Sequence, residues 1–347
     1  MTKINQKVKV VEGISENEIP DYIFESQQPL ILKGLVKNWP LTQLGLTDTQ
    51  KAIAQLIDAD SQQVAPVYYG QTDSGNRLGY ISDCTSLNFE IKSVNLTQVL
   101  QELANNLDNP AYPLRYIASN VLQIHFPDIF KNNQLSFDSP YFKNKPMQPG
   151  DPLTGIWIGN RTLSPCHWDA QCNIACCVVG HRKFTLFPPS QIENLYPGPL
   201  ELTPGGQSIT LVDFDNPDFE RFPKYKNAIQ HGQIAELEPG DAIFIPCMWW
   251  HQVEAINTFN VLINYWWNPF EKIRGQAMPV LEHAILSLRD RPTFEKQAWK
   301  YLFDYYIFGD DQVAGEHIPA DARGKLGKID TLKARQLRAL LINKLNR

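Results

Sequence analysis

Residues 164–173 read SPCHWDAQCN and set His167 and Asp169 two positions apart, with Cys166, Cys172 and Asn173 close by. Read as one strand, this stretch sends side chains alternately to its two faces. His167, Asp169, Gln171, Asn173, Ala175 and Cys177 then share one face, and Cys166, Trp168, Cys172 and Cys176 the other. Two ligand-bearing side chains on one face can grip a single ion and leave its far side open. A third ligand is then expected on a neighbouring strand. His251, in EPGDAIFIPCMWWHQVEAI, follows a tight turn, an apolar strand and two tryptophans. His167, Asp169 and His251 together form a two-histidine, one-carboxylate set, which leaves three positions of the metal free and is typical of non-haem Fe(II) oxygenases.

Other chemistries fit less well. The thiols of Cys172 and Cys176 point away from His167, and no paired C-x-x-C is present to build a structural zinc site. The cysteines read better as small buried apolar side chains. Ser164, His167 and Asp169 could suggest a nucleophile and its base. However, a histidine and an aspartate two apart on one strand point in parallel, so the carboxylate cannot orient the far ring nitrogen. His125, His181, His231, His283 and His317 have no ligand partner nearby in sequence.

The elements that must position these residues change character along the chain. Before Pro113 the pattern is mixed. A short helix precedes a buried strand at Leu30–Leu32, and TDTQKAIAQLIDAD carries a helical apolar pattern behind a threonine N-cap. QQVAPVYYG and RLGYIS read as strands, and NLTQVLQELANNL as a helix. From Pro113 to about Phe270, short apolar runs (LRYIAS, TGIWIGN, CNIACCVV, KFTLFPP, SITLVDF, AIFIP, NVLINYWW) alternate with Pro/Gly turns. Many short strands separated by turns predict an antiparallel sandwich or barrel. After Phe270, Met278, Leu281, Ile285 and Leu288, and later Leu337, Leu341 and Leu345, fall at helical spacing. Two helices lying on the barrel, or a helical appendage pairing two subunits, both fit this pattern.

The 347 residues, 43 % hydrophobic and 20 % charged, have the composition of a folded globular chain with room for a large core. A net charge of −5 builds no basic field, so nucleic acid is not expected as a partner. No apolar run reaches membrane-spanning length, and the first residues carry no signal-like apolar block. The expected location is the cytoplasm, with the six cysteines reduced.

SPCHWDAQCN, GHRKFTLFPPSQIENLYP, VDFDNPDFERFP, EPGDAIFIPCMWWHQVE and NVLINYWW, in this order, resemble the cupin-like (cupin 8) branch of the JmjC-type Fe(II)/2-oxoglutarate oxygenases. The likeness is strongest to asparaginyl hydroxylases of the factor-inhibiting-HIF type and their bacterial relatives. PLILKGLVKNWP resembles the family's entry segment; the likeness is dense from about Tyr116 to Trp267 and thinner outside it. It implies a mainly β protein with helices (α+β): a double-stranded β-helix, or jelly-roll, barrel with N-terminal α/β elements over 1–270 and a helical extension over 271–347. It implies Fe(II) held by His167, Asp169 and His251, with 2-oxoglutarate and O2 as co-substrates. The family clamps the far carboxylate of 2-oxoglutarate with a lysine in a G-x-K context; here GHRK puts Arg182 at that place and Lys183 beside it. Alternation favours Arg182 facing inward, and a guanidinium can take a carboxylate in two-point fashion. The same likeness assigns hydroxyl donors to Tyr116 and Ser164, the latter standing where the family has threonine. It places Asn173 and Asn264 beside the metal.

The implied reaction couples oxidative decarboxylation of 2-oxoglutarate to hydroxylation of an unactivated C–H bond. The substrate is expected to be a protein side chain or a small molecule, with Trp168 and Trp250 as candidates to line its groove. A cupin metalloenzyme of isomerase type, or a non-catalytic cupin-like binding protein, is the alternative; the first has no use for a carboxylate clamp, and the second is expected to show a broken ligand set. A homodimer through the C-terminal helices is compatible with all three.

Overall fold

The computed structural model describes residues 3–70, 75–144, 152–268, 273, 275–310 and 313–346. They fall into two compact units, Met1–Pro269 and Phe270–Arg347. The boundary expected at 270/271 lies outside the described residues.

Among the described residues the first unit holds fourteen strands: β1 (Gln6–Lys7), β2 (Lys9–Val11), β3 (Leu30–Leu32), β4 (Val64–Gly70), β5 (Phe89–Asn95), β6 (Arg115–Val121), β7 (Leu153–Gly159), β8 (Leu163–Trp168), β9 (Cys172–Val179), β10 (Arg182–Phe187), β11 (Gln233–Leu237), β12 (Ala242–Ile245), β13 (Trp250–Ala255) and β14 (Asn260–Trp267). They pair into two sheets, one of order β1-β11-β10-β13-β8 and one of order β2-β3-β12-β9-β14-β7-β6-β4-β5. This is the α+β jelly-roll arrangement, built as two separate hydrogen-bonded sheets and not as one closed barrel.

Burial follows the two faces of each sheet. β9, Cys-Asn-Ile-Ala-Cys-Cys-Val-Val, is buried along its whole length between β12 and β14, which explains its unbroken run of small and apolar residues. Its Ala175 and Cys177 meet Phe184 and Leu186 of β10 and Ile243 of β12 in a cluster between the sheets. Its Ile174, Cys176 and Val178 join a larger core that includes residues from the helices Thr49–Asp58 and Leu96–Ala104. Each large apolar side chain buried there contributes about 1.5–3 kcal/mol. Gly180, at φ +74°, turns the chain from β9 into β10; a Cβ there would come within 2.4 Å of Asn260 Oδ1.

Three elements differ from the sequence reading. RLGYIS forms isolated bridges from Arg77 to Leu163 and from Tyr80 to Leu87, not a strand; β4 pairs antiparallel with β5 and β6. SITLVDF likewise contributes one bridge, Thr210 to Pro197, and its Thr210 hydroxyl donates to the Leu195 carbonyl. The helix Thr49–Asp58 is capped by Asp48, whose carboxylate accepts from the Lys51 amide, and not by a threonine.

The second unit has helices at Met278–Leu288, Thr293–Phe303 and Thr331–Leu345, so a helix missed in the sequence stands between the two expected. Of its described hydrophobic residues only Ala314 and Ala334 are buried, while Leu286, Phe294, Phe308, Leu332 and Ile342 are exposed.

Candidate metal centre

The ligand residues come from the facing ends of β8 and β13. These strands run antiparallel with His167 opposite His251 and Trp168 opposite Trp250. Residues 164–177 are thus two strands of different sheets, not one: β8 ends at Trp168, Asp169 stands just beyond it, and β9 begins at Cys172. The face assignment survives the turn. His167, Asp169, Gln171, Asn173 and Ala175 all line one cavity, because the chain crosses between sheets without losing its alternation.

The two loops that carry the ligands are tied together. The Met248 amide donates to the Asp169 carbonyl at 2.7 Å. Met248 takes φ +66°, a left-handed conformation costly for a side-chain-bearing residue, immediately before the Trp249–Trp250–His251 run.

One ligand atom from each of His167, Asp169 and His251 lies within 4.8 Å of the others. His167 Nδ1 lies 2.8 Å from the Pro165 carbonyl and His251 Nδ1 2.9 Å from the Trp249 carbonyl. A carbonyl can only accept, so each Nδ1 carries a proton and Nε2 is the ring atom left to face a metal. Burial, and next the neighbouring His167, hold the His251 imidazole down at about 4, against the opposing pull of Asp169 and the Trp249 carbonyl. The ring is therefore neutral near pH 7, and its 3.6 Å approach to Asp169 Oδ2 is no ion pair. That oxygen is buried and has no hydrogen-bond donor. A carboxylate oxygen facing an imidazole lone pair, with no proton between them, is a donor set for a divalent cation.

The cavity has a volume of about 360 Å³. Arg182, Tyr116, Ser164, Asn173 and Asn264 all line it. Arg182 is 2 % exposed, and its Nε and Nη2 have no acceptor. Tyr116 shares hydrogen bonds with Ser164 and Arg182; burial raises its phenol and the guanidinium opposes that rise. A buried guanidinium with free donors next to two hydroxyls fits a carboxylate. Lys183 is not among the cavity-lining residues and pairs with Glu254 at 3.0 Å, whereas Arg182 lines the cavity.

Trp168 and Trp250 do not line the cavity, which corrects the expectation that they line the substrate groove. Each is offset by one residue from a ligand histidine and so projects from the opposite face of its strand. Trp250 is buried with Cys166, Phe187 and Tyr225, and Trp168 packs on the same cluster. The aromatic residues that do line the cavity include Tyr68, Trp157 and Trp266. Alternation along NVLINYWW could have placed Trp266 with Asn264. Trp157 and Tyr68 could not be found that way, because their facing depends on the register of β7 and β4 in the larger sheet. The opening also includes Ser119, held at φ +53° in a bulge of β6, with Gln171 and Gln207.

The family model of the cupin-like domain matches residues 16–273. HSPB1-associated protein 1 of Bos taurus is 39 % identical over 272 residues, 74 % of this chain and 52 % of that protein. Lysine-specific demethylase JMJ31 of Arabidopsis thaliana is 36 % identical over 113 residues, 32 % of this chain and 20 % of that protein. tRNA wybutosine-synthesizing protein 5 of Gallus gallus is 21 % identical over 309 residues, 82 % of this chain and 89 % of that protein. The chain spans about half the length of the HSPB1-associated proteins it matches.

Proposed function

We propose, from the premise that this chain belongs to the cupin-like domain family, that it is a Fe(II)- and 2-oxoglutarate-dependent dioxygenase that hydroxylates an unactivated C–H bond. One observation carries the reading. A buried Asp169 oxygen without a donor sits in one cluster with His167 and His251, and the same cavity holds a buried Arg182 guanidinium whose Nε and Nη2 have no acceptor. One feature calls for a cation and the other for an anion.

His167, Asp169 and His251 would hold the iron and leave the positions toward the cavity open. Iron bound there would supply the activation of O2 that splits 2-oxoglutarate into succinate and CO2 and delivers an oxygen atom to the substrate. Arg182 would fix the far carboxylate in two-point contact, with Tyr116 and Ser164 donating to it. Asn173 and Asn264 orient ligands near the metal. Leu262, Phe184 and Val253 keep that end of the cavity poor in water, which strengthens each of these polar contacts.

The substrate is a protein side chain or a small molecule. The relatives' names diverge, a lysine-specific demethylase beside a tRNA wybutosine-synthesizing protein, and a net charge of −5 gives no support to a nucleic acid here. We place the chain in the cytoplasm and pair two copies through the exposed apolar helices of Phe270–Arg347. No helix among the described residues is long and apolar enough to cross a membrane.

The test is anaerobic. Fe(II) and 2-oxoglutarate added to the chain should give the visible charge-transfer band of the chelate, and admitting O2 should yield succinate. Protein shown to contain Fe(II) that lacks this band would be a cupin of other chemistry or a non-catalytic binder.

A further inference from the structure

Three side chains form a directed hydrogen-bond chain that ends in the cavity. Trp157 Nε1 donates to Asn264 Oδ1 at 2.7 Å, and Asn264 Nδ2 donates to Asn173 Oδ1 at 3.3 Å. An indole N–H can only donate, so it fixes which end of the Asn264 amide is oxygen. That in turn fixes Asn173. Its oxygen is taken, and its Nδ2 donates to no acceptor among the described residues while the side chain lines the cavity, 6 % exposed.

The surroundings hold this chain in place. Asn264 is 1 % exposed and lies opposite Gly155 in the ladder between β14 and β7. A Cβ at 155 would come within 2.6 Å of Asn264 Oδ1, so the absence of a side chain there makes room for the amide. The Trp157 ring is wedged between Trp266, edge-on at 5.6 Å, and Tyr116 at 5.8 Å. Its position therefore depends on ring packing as well as on its N–H.

We propose that Trp157 is a positioning residue for the anionic co-substrate: through Asn264 it turns the Asn173 amide so that N–H, not oxygen, faces the cavity. This rests on the reading of the cavity as a 2-oxoglutarate site. Without the indole N–H, the Asn264 amide is free to turn over and present Nδ2 where it now presents oxygen. Asn173 can then turn as well and offer its oxygen to an anion. Aligned hydrogen bonds strengthen one another, so the relay acts on a group that Trp157 does not touch.

The test is a double-mutant cycle read by calorimetric titration of 2-oxoglutarate into chain loaded with redox-silent Mn(II). Trp157→Phe keeps a ring in the wedge and removes only the donor. It should weaken 2-oxoglutarate about tenfold, the loss of one hydrogen bond to a charged group. In an Asn173→Ala background the same change should have less than about twofold effect, because the end of the relay is gone. Asn264→Leu, which cuts the relay in the middle, should show the same dependence on Asn173 and serves if Trp157→Phe fails to fold. Equal weakening in both backgrounds, or unchanged binding by Trp157→Phe, overturns the relay. A native Mn(II)-loaded chain that does not bind 2-oxoglutarate overturns the site reading, and the relay's purpose with it.

Discussion

His251 Nε2 stands 3.6 Å from Asp169 Oδ2, and with the ring proton held at Nδ1 by the Trp249 carbonyl neither atom has a hydrogen to share. Two acceptors held face to face in a buried site destabilise the empty protein and favour a cation between them. Asp169→Ala should therefore abolish metal binding and succinate formation while leaving the metal-free fold as stable as before, or more so. The native chain should gain about 2.7 kcal/mol at a metal concentration one hundred times the dissociation constant. Thermal unfolding with and without Mn(II) checks both halves. A metal-dependent upward shift that survives in Asp169→Ala would remove this residue from the ligand set.

Arg182 and Lys183 make a second, paired prediction. Arg182→Met should weaken 2-oxoglutarate about 10- to 100-fold, the range for hydrogen bonds to a charged group. It should not lower the stability of the ligand-free chain, because it removes a buried guanidinium with unsatisfied donors. Lys183→Met should change binding by less than about twofold, since it breaks only the partly exposed pair with Glu254. Calorimetric titration of both variants decides, and the reverse order would move the clamp to Lys183.

The ligand set was legible because it depends only on alternation, which holds locally whatever sheet a strand joins. His167 and Asp169 kept a common face even though the chain changes sheets after Trp168. On β10 the same rule favours Arg182 facing inward, while its role as a clamp comes from the family resemblance, with Lys183 the other candidate. What pairs a strand with its neighbours is not local. Trp157 reaches Asn264 only because β7 lies beside β14 in a register that sets residue 157 opposite Leu262, two positions along the ladder from Gly155 and Asn264. Alternation also sends the two members of a tryptophan pair to opposite faces, so at most one meets the cavity. Trp266 lines it while Trp267 packs in the outer core with Phe24 and Phe244, and Trp249 lies between the sheets while Trp250 does not.

The second unit predicts an oligomeric state. Leu341 and Leu345 on the helix Thr331–Leu345 are 49 % and 55 % exposed, and Leu332 and Ile342 are exposed on the same helix. We propose that the exposed Leu341 and Leu345, one helical turn apart, pair two copies of the chain. The chain should run as a dimer in light scattering at micromolar concentration. The double substitution Leu341→Glu and Leu345→Glu should make it a monomer without loss of helical signal. A native chain that is monomeric across that range would leave this face to some other role.

The last prediction concerns pH. Cys172 and Cys247 line one groove on the protein surface, and the hydrogen bond from the Cys172 thiol holds the Cys247 thiol down at about 7, while Cys172 itself is pushed up. Cys247 should therefore react as thiolate once the pH passes about 7, below the usual thiol range. Cys166 and Cys176 are fully buried and pushed well up, so they should stay inert throughout. The sign follows from the donor. Replacing Cys172 by alanine removes the hydrogen bond that stabilises the Cys247 thiolate, so the midpoint should climb back toward about 8.5. Iodoacetamide labelling from pH 5.5 to 9, with each site followed by peptide mass, measures the shift. A Cys247 midpoint that does not move in Cys172→Ala would remove the Cys172 hydrogen bond as the cause of the lowering.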